Sequence, residues 1–193
     1  MPNANVRKPS PVIPQVVGKA LPTLDPVNHV CRSTEDLHPE LAFALKAILS
    51  QLTLENIPVE IYESWRAPAR QNYLYTIGRS KGGIVQTRNQ AWASLHQYGM
   101  AVDLGVRVRG DWDWNTYENS HMWARAHRLA EEFGLEHDYS WHFQMSGYEL
   151  GDLKRAQFPP AGNKGQAWWM KLSEYAGQWN AHGFTPVAPL IPA

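Results

Sequence analysis

The sequence predicts a single α+β domain in which helices pack on a small antiparallel sheet. Segments with helical spacing of apolar residues occur beside short alternating segments, without the regular strand–helix–strand order that builds a parallel sheet. A chain of 193 residues is long enough for one domain with a proper core and short for two. We therefore expect one folded unit.

Proline-rich segments near both ends set the expected boundaries of this unit. Residues 1–26 carry scattered prolines and are expected to form an extended N-terminal arm. Residues 27–158 are expected to form the domain itself. Residues 159–193 begin with two prolines and are expected to form a C-terminal helical extension packed on the domain.

Three stripes of apolar residues predict the main helices. Spacings of three and four residues place the members of each stripe on one helical face. The stripes are Leu41, Leu45, Ile48 and Leu52; Met122, Ala126, Leu129 and Phe133; and Trp168, Leu172, Tyr175 and Trp179. Pro39 is suited to the first turn of the first helix, and Gly134 is suited to end the second. A shorter helix is expected between residue 67 and Gly78.

Four short segments predict the sheet. Residues 59–63 alternate between apolar and polar side chains, as a half-buried strand does. The other expected strands are residues 99–106, 135–138 and 141–145. Polar residues dominate 78–93 and 107–117, which we expect to be loops.

Composition excludes several classes of protein. Lysine plus arginine and aspartate plus glutamate both total 18, so the chain has no excess basic charge for binding nucleic acid. Cys31 is the only cysteine, which excludes an internal disulfide and a cysteine-rich metal site. No apolar run reaches the roughly 18 residues of a membrane span, and the first residues lack the apolar core of a secretory signal. Any metal must therefore bind to histidine, aspartate or glutamate.

The most informative segment is SLHQYGMAVD at residues 94–103. It places His96 seven residues before Asp103, with Gly99 between them to permit a tight turn. Further along, His142 lies between two aromatic residues. Two imidazoles and one carboxylate are a complete protein ligand set for a catalytic zinc, which keeps its fourth position for water.

The alternative interpretation is a surface histidine and an aspartate that ends a strand. Asp103, however, has apolar neighbours on both sides, so its carboxylate interrupts an apolar strand. Burial of an unpaired carboxylate is costly unless a cation compensates its charge. This context favours a metal site.

The residues around the two histidines follow a longer pattern. It reads Ser94-x-His96-x-x-Gly99-x-Ala101-x-Asp103, followed by Trp141-His142-Phe143. This pattern resembles the zinc signature of the LAS peptidoglycan peptidases, a group that includes D-alanyl-D-alanine carboxypeptidases and dipeptidases and shares its fold with lysostaphin-type enzymes and the hedgehog signalling domain. The resemblance covers residues 36–146 and implies an α+β fold with zinc in the cleft of the sheet.

Two upstream segments extend the resemblance. SWRAPARQNYLYTIGR at residues 64–79 is similar to the SxRxxxxQxxLYxxGR stretch of the same group. GIVQT at residues 83–87 resembles the branch of L-alanyl-D-glutamate endopeptidases, many of which are bacteriophage endolysins.

The resemblance implies a zinc-dependent peptidase with assigned residues. The zinc ligands would be His96, Asp103 and His142. Arg66 would stabilise the developing oxyanion and contact the substrate, and Ser94 would help to hold it. The substrate would be a peptidoglycan stem peptide, with the L-Ala–D-Glu bond as first choice and a D-Ala–D-Ala bond as second.

The resemblance also bears on where the protein acts. We expect a monomer that works in the periplasm or cell wall, without a nucleic-acid partner and without membrane insertion. Because no secretory signal is evident, we expect release by a phage holin or a similar route.

One departure from the group concerns the general base. The group has an acidic residue three positions before its last histidine ligand, and here that position is Tyr139, whose phenol has an ordinary pKa near about 10. A tyrosine is a poor base at neutral pH. We expect Asp138 to take the proton, with Glu136 as the reserve candidate because alternation lets both share one face. The alternative is that Asp138 is a loop carboxylate.

The displaced acidic residue allows a second hypothesis of another class. The chain could be a zinc-bearing binding or structural protein, such as a phage particle component, in which the metal stabilises the fold without hydrolysis. Trp112 and Trp114, in an expected polar loop, are candidates for stacking on sugar rings, whereas Trp168 belongs to a helical stripe typical of a core.

Overall fold

The computed structural model describes residues 27–192, so the expected N-terminal arm at 1–26 lies outside the described residues. The helices are α1 (Pro39–Leu54), α2 (Pro68–Thr76), α3 (Ser120–Glu132), α4 (Leu150–Lys154) and α5 (Gln166–Ala181). The strands are β1 (Val59–Glu63), β2 (Ala101–Val108), β3 (Asp111–Asp113), β4 (Leu135–His137) and β5 (His142–Met145). Two short 3-10 turns lie at Leu95–Tyr98 and Gly162–Gly165.

The strands form one antiparallel sheet in which β2 is central. β1 pairs along one edge of β2, β5 pairs with the other edge, and β4 pairs with the outer edge of β5. The last residues of β2 pair with β3. Helix α1 contacts β1 and α3 contacts β4, so helices pack on a small antiparallel sheet. The predicted α+β class is confirmed.

The register of β2 brings its middle residue close to two partners. Asp103 lies opposite Glu63 of β1 and opposite His142 of β5. A β-bulge at Tyr62 shifts the register of β1 just before Glu63. Ile61 pairs with Leu104 and Glu63 pairs with Asp103, so Tyr62 is the extra residue in β1. Alternation along β2 puts Asp103 and Gly105 on the same face, which we call the site face. The opposite face belongs to the core.

The apolar stripes predicted from spacing are largely buried. All four members of the first stripe and all four of the third are less than 4% exposed. In α3, Ala126 and Leu129 are buried, whereas Phe133 lies just past the helix end and is 39% exposed. Within residues 27–192, none of the helices combines the length and the apolar character needed to span a bilayer.

The loop expected at residues 107–117 is partly a hairpin, so that prediction is wrong. Strand β2 continues to Val108, and β3 returns beside it. Arg109 and Gly110 connect the two strands with φ values of 53° and 92°, as a two-residue turn with two positive φ angles requires. Aspartates flank Trp112 in β3. Because aspartate is depleted in sheets, the sequence of this segment does not indicate a strand.

Helix α5 packs directly behind the segment that carries His96. Trp168 is 1% exposed, and its ring meets the ring of His38 edge-on at 4.7 Å. Its indole N–H donates to the carbonyl oxygen of Tyr98 at 2.6 Å. Gly99 permits this approach, because its φ is 65° and a Cβ at this position would lie only 2.8 Å from the Trp168 ring.

Trp168→Ala is expected to lower the free energy of unfolding by about 3–5 kcal/mol, because it opens a cavity in the core and removes the hydrogen bond to Tyr98. Chemical denaturation measures the change. Met170→Ala is the matched control, because Met170 lies on the same helix and is 54% exposed, so it should cost less than about 0.5 kcal/mol. Equal stability of the two variants would show that α5 contributes nothing to the core.

Candidate metal centre

Three potential metal ligands from three parts of the chain converge on the site face. They are His96 from the first 3-10 turn, Asp103 from the middle of β2 and His142 from the start of β5. One donor atom from each lies within 4.8 Å of the other two. Asp103 and His142 are far apart in the sequence, but the pairing of β2 with β5 puts them opposite each other.

The 3-10 turn fixes the position of His96. The Ser94 hydroxyl accepts a hydrogen bond from the backbone N–H of His96 at 3.4 Å, and the Gln97 side chain accepts one from the N–H of Ser94 at 3.2 Å. This reciprocal pair is a capping box, and the left-handed Gly99 ends the turn. Ser94 therefore positions His96, and its expected contact with substrate remains a prediction.

The two nitrogens of His96 have different surroundings. Nδ1 lies 2.7 Å from the carbonyl oxygen of Ser64, to which it donates. Nε2 is buried, makes no hydrogen bond, and lies 3.3 Å from Oδ1 of Asp103. Burial lowers the pKa of His96, and the nearby Arg66 cation lowers it further. The neutral imidazole thus directs an unshared electron pair at the cluster.

The ring of His142 is oriented in a similar way. Its Nε2 donates to Oε1 of Gln144 at 3.2 Å, and its Nδ1 lies 2.9 Å from Oδ1 of Asp103. Burial alone would lower the pKa of His142, but the carboxylate of Asp103 raises it above its ordinary value. In both histidines, one ring nitrogen is held by a carbonyl oxygen while the other faces the cluster.

The Asp103 carboxylate is shared between the histidines and an arginine. Oδ1 faces both imidazoles, and Oδ2 accepts a hydrogen bond from Nη2 of Arg66 at 2.6 Å. Burial alone would raise the pKa of Asp103, but the histidines and Arg66 hold it well below its ordinary value. The carboxylate is therefore ionised, with one oxygen directed at the cluster.

Arg66 is held by a buried network. Its Nε donates to Oε2 of Glu63 at 2.8 Å and its Nη1 donates to the side chain of Gln71 at 3.2 Å. Glu63 is 1% exposed and also pairs with Arg70. Burial would lower the pKa of Arg66, but Asp103 and Glu63 raise it, so the guanidinium stays charged.

This group fits a zinc ion by the chemistry of its donors. Two imidazoles and one carboxylate are the ligand types of catalytic zinc sites. Metal-binding histidines typically donate from their second ring nitrogen to a carbonyl or carboxylate oxygen, as His96 and His142 do. The Nε2 atom of His96 is buried without a hydrogen-bond partner, and a metal ion would supply the partner that it lacks.

The expected base candidates lie on the β4–β5 hairpin. Asp138 is exposed, and its backbone N–H donates to the carbonyl oxygen of His142 at 3.2 Å, which sets it beside that residue. Glu136 accepts a hydrogen bond from Nε2 of Gln144 at 3.1 Å, so Gln144 separates it from His142. Tyr139 is 60% exposed and stacks on Trp141 at 5.7 Å.

Sequence reasoning missed two polar residues of the centre. Gln144 holds His142, and simple alternation along β5 could have placed it on the same face. Glu63 holds Arg66, but alternation from Ile61 assigns it to the core face, and only the bulge at Tyr62 brings it to the site face.

A comparison with protein families adds to this geometry. The model of the VanY family, described as D-alanyl-D-alanine carboxypeptidase, matches residues 34–152, which is more than half of the chain. The chain belongs to the VanY family. The matched segment contains all three residues of the cluster together with Arg66.

Individual proteins similar to this VanY-family chain include two endopeptidases and a dipeptidase. The peptidoglycan L-alanyl-D-glutamate endopeptidase CwlK of Bacillus subtilis (strain 168) is 28% identical over 112 residues, which cover 55% of this chain and 67% of CwlK. The crystal structure of the Serratia marcescens L-Ala D-Glu endopeptidase ChiX aligns with a TM-score of 0.44 and 24% identity, and the match covers 64% of this chain and 96% of ChiX. The vancomycin resistance D,D-dipeptidase VanXYg aligns with a TM-score of 0.43 and 19% identity, over 75% of this chain and 60% of VanXYg.

Purified protein is expected to carry about one zinc ion per chain, because the cluster offers three protein ligands. His142→Ala should lose this metal, since it leaves only two ligands. Elemental analysis by mass spectrometry measures the content. His121→Ala, which changes an exposed histidine on α3, should keep the metal. Full occupancy in His142→Ala would remove His142 from the ligand set.

Proposed function

We propose that this chain is a zinc-dependent peptidase that hydrolyses peptide bonds in peptidoglycan stem peptides. The observation that carries the proposal is the convergence of His96, Asp103 and His142 in a chain of the VanY family. Structural zinc sites almost always have four protein ligands, whereas catalytic sites have three and an open position. Three ligands among the described residues favour catalysis over a structural role for the metal.

The L-Ala–D-Glu bond is the first choice of substrate. Its support is the likeness to CwlK, an L-alanyl-D-glutamate endopeptidase. A D-Ala–D-Ala bond is the second candidate, because the family model that matches the chain is described as a D-alanyl-D-alanine carboxypeptidase. Both reactions attack an amide carbonyl and release an amine, so they demand the same chemistry from the centre.

Arg66 stabilises the negative charge that develops on the scissile carbonyl oxygen. When bound, zinc supplies a Lewis acid that polarises this carbonyl and activates water. Arg66 is only 8% exposed, and in such a water-poor site the charge of its guanidinium acts strongly. Glu63 and Gln71 fix its plane, so the charge is in place before the substrate binds.

Two further residues contact the substrate or move protons. The Ser94 hydroxyl accepts a hydrogen bond from His96, which leaves its own proton free to donate to a carbonyl of the stem peptide. Asp138 takes a proton from the attacking water and passes it to the leaving amine. Asp138 is favoured over Glu136 because Glu136 is already engaged by Gln144, whereas Asp138 is exposed beside His142.

The domain boundaries belong to the same proposal. Residues 27–158 form the peptidase domain, and the segment from 159 onwards forms a helical extension that packs on it through Trp168. The protein acts as a monomer in the periplasm or cell wall, which it reaches through a phage holin or a similar route.

Digestion of purified peptidoglycan tests the function directly. We expect mass spectrometry to find new amino termini at D-Glu and new carboxyl termini at L-Ala, and we expect a chelator to abolish them. Loss of terminal D-Ala instead would establish carboxypeptidase activity. His142→Ala is the matched inactive control. Complete absence of cleavage by zinc-loaded wild type would overturn the proposal and leave the metal a structural role.

Asp138→Asn tests the general base, because it preserves the shape of the side chain and removes its basicity. We expect unchanged zinc content and a fall in kcat of about 10²-fold or more, within the usual contribution of general acid–base catalysis. Glu136→Gln should change kcat little. Near wild-type activity of Asp138→Asn with loss in Glu136→Gln would assign the base to Glu136, and activity in both would place it elsewhere.

A further inference from the structure

Five aromatic side chains form a continuous strip at one end of the site face. Its members, which we call the aromatic strip, are Tyr62, Trp112, Trp114, Tyr139 and Trp141. Neighbouring ring centroids lie 4.8–6.3 Å apart, from Trp112 at the β2–β3 hairpin to Tyr139 at the β4–β5 hairpin. Three separate parts of the sheet therefore contribute to one surface.

Gly105 fixes the strip beside the metal centre. A Cβ at Gly105 would lie 2.6 Å from the Trp112 ring and 3.6 Å from the Trp114 ring, so both indoles cover this glycine closely. Gly105 follows Asp103 by two residues on the same face of β2, a separation of about 7 Å along a strand. The strip thus begins within one side-chain length of the cluster.

The two ends of the strip differ in exposure. Arg107 and Arg32 lie over the Trp112 ring, with their guanidinium carbons 4.7 Å and 5.5 Å from its centroid. In contrast, Trp114 is 42% exposed and Tyr139 is 60% exposed. The part of the strip that is open to solvent therefore contains Trp114 and Tyr139. This part lies nearer to His142, because Trp141 directly precedes His142 in the sequence.

This exposed surface has the chemistry of a sugar platform. A pyranose ring presents C–H groups on its faces, and these pack against the electron-rich face of an aromatic ring while the hydroxyls stay hydrated. Core packing does not account for Trp114 and Tyr139, because large aromatic side chains at this exposure bury only part of their apolar surface.

We propose that the aromatic strip binds the N-acetylated sugars of the peptidoglycan glycan strand. This inference rests on the proposed function and extends it, since the glycan is covalently attached to the stem peptide held at the metal centre. Trp114 and Tyr139 contact the sugars, and Trp112, covered by the two arginines, supports Trp114.

The reach of the substrate agrees with the first-choice bond. In peptidoglycan the stem begins with L-Ala on the lactyl group of the sugar, so an L-Ala–D-Glu scissile bond lies one residue from the glycan. One residue spans at most about 3.6 Å, so the sugar falls near the start of the strip. A D-Ala–D-Ala bond lies about three residues further along the stem and would place the sugar roughly 10 Å beyond.

Binding to glycan strands freed of their stem peptides by an amidase tests the platform without hydrolysis. We expect wild type to bind, and we expect Trp114→Ala and Tyr139→Ala each to raise the dissociation constant by about 5-fold or more, the effect of losing one good aromatic contact. Because Tyr139 is the more exposed of the two rings, Tyr139→Ala still tests the platform if Trp114→Ala fails to fold. Tyr139→Phe keeps the ring and should bind like wild type.

Tyr117→Ala is the matched surface control. Tyr117 lies just beyond β3, is 88% exposed, and lies outside the strip, so its removal should leave both glycan binding and hydrolysis unchanged. The second readout is the ratio of kcat/KM for a disaccharide-linked stem peptide to kcat/KM for the same peptide without sugars. This ratio should fall about 5-fold or more in Trp114→Ala and stay constant in Tyr117→Ala.

The outcomes separate the two proposals. If wild type cleaves stem peptides but wild type and Trp114→Ala bind glycan equally, the platform is overturned. The proposal of a peptidase then still stands. Glycan binding that depends on Trp114, without cleavage of any stem peptide, would overturn the peptidase alone. A wild-type dimer that Trp114→Ala converts to a monomer in sedimentation would assign the strip to self-association instead.

Discussion

The ionised carboxylate of Asp103 is the constraint on which the centre depends. It lies in the middle of the central strand, between two imidazoles and the Arg66 guanidinium. A buried charge is tolerated only when partners surround it, so the 3-10 turn, β5 and the chain around Arg66 must all meet at this point. The same requirement explains why Glu63 is buried beside Arg66, since one carboxylate alone would leave the two arginines of this network with excess charge.

The two faces of the sheet carry different kinds of side chain. The core face carries Val102, Leu104 and Phe143, each fully buried. The site face carries charged groups in its middle and aromatic rings at one end. Because alternation separates the faces residue by residue, substitutions on the core face can alter stability without replacing a residue of the cluster. Gly99 is an exception, because it serves the turn of His96 and the packing of Trp168 together.

The sequence predicts most of the fold and the three residues of the cluster, for physical reasons that concern particular positions. Helical stripes and an aspartate in an apolar strand are local signals, and local signals can be read directly. The hairpin at Arg109 and the role of Glu63 are not local in this sense. The first depends on two positive φ angles, of which only the one at glycine is indicated by residue type, and the second on a shift in pairing with a distant strand. The position of Asp138 depends on the shape of a hairpin, so its role is still a prediction.

The bulge at Tyr62 has a consequence for anyone who transplants this centre. Because of the extra residue, Tyr62 contacts the rings over Gly105 while the next residue, Glu63, reaches Arg66. A regular strand of the same composition would turn one of these two side chains toward the core. Copying His96, Asp103 and His142 onto an ideal sheet would therefore reproduce the cluster but lose the hydrogen bond from Arg66 to Glu63. A faithful graft has to carry the irregular strand along with the three residues of the cluster.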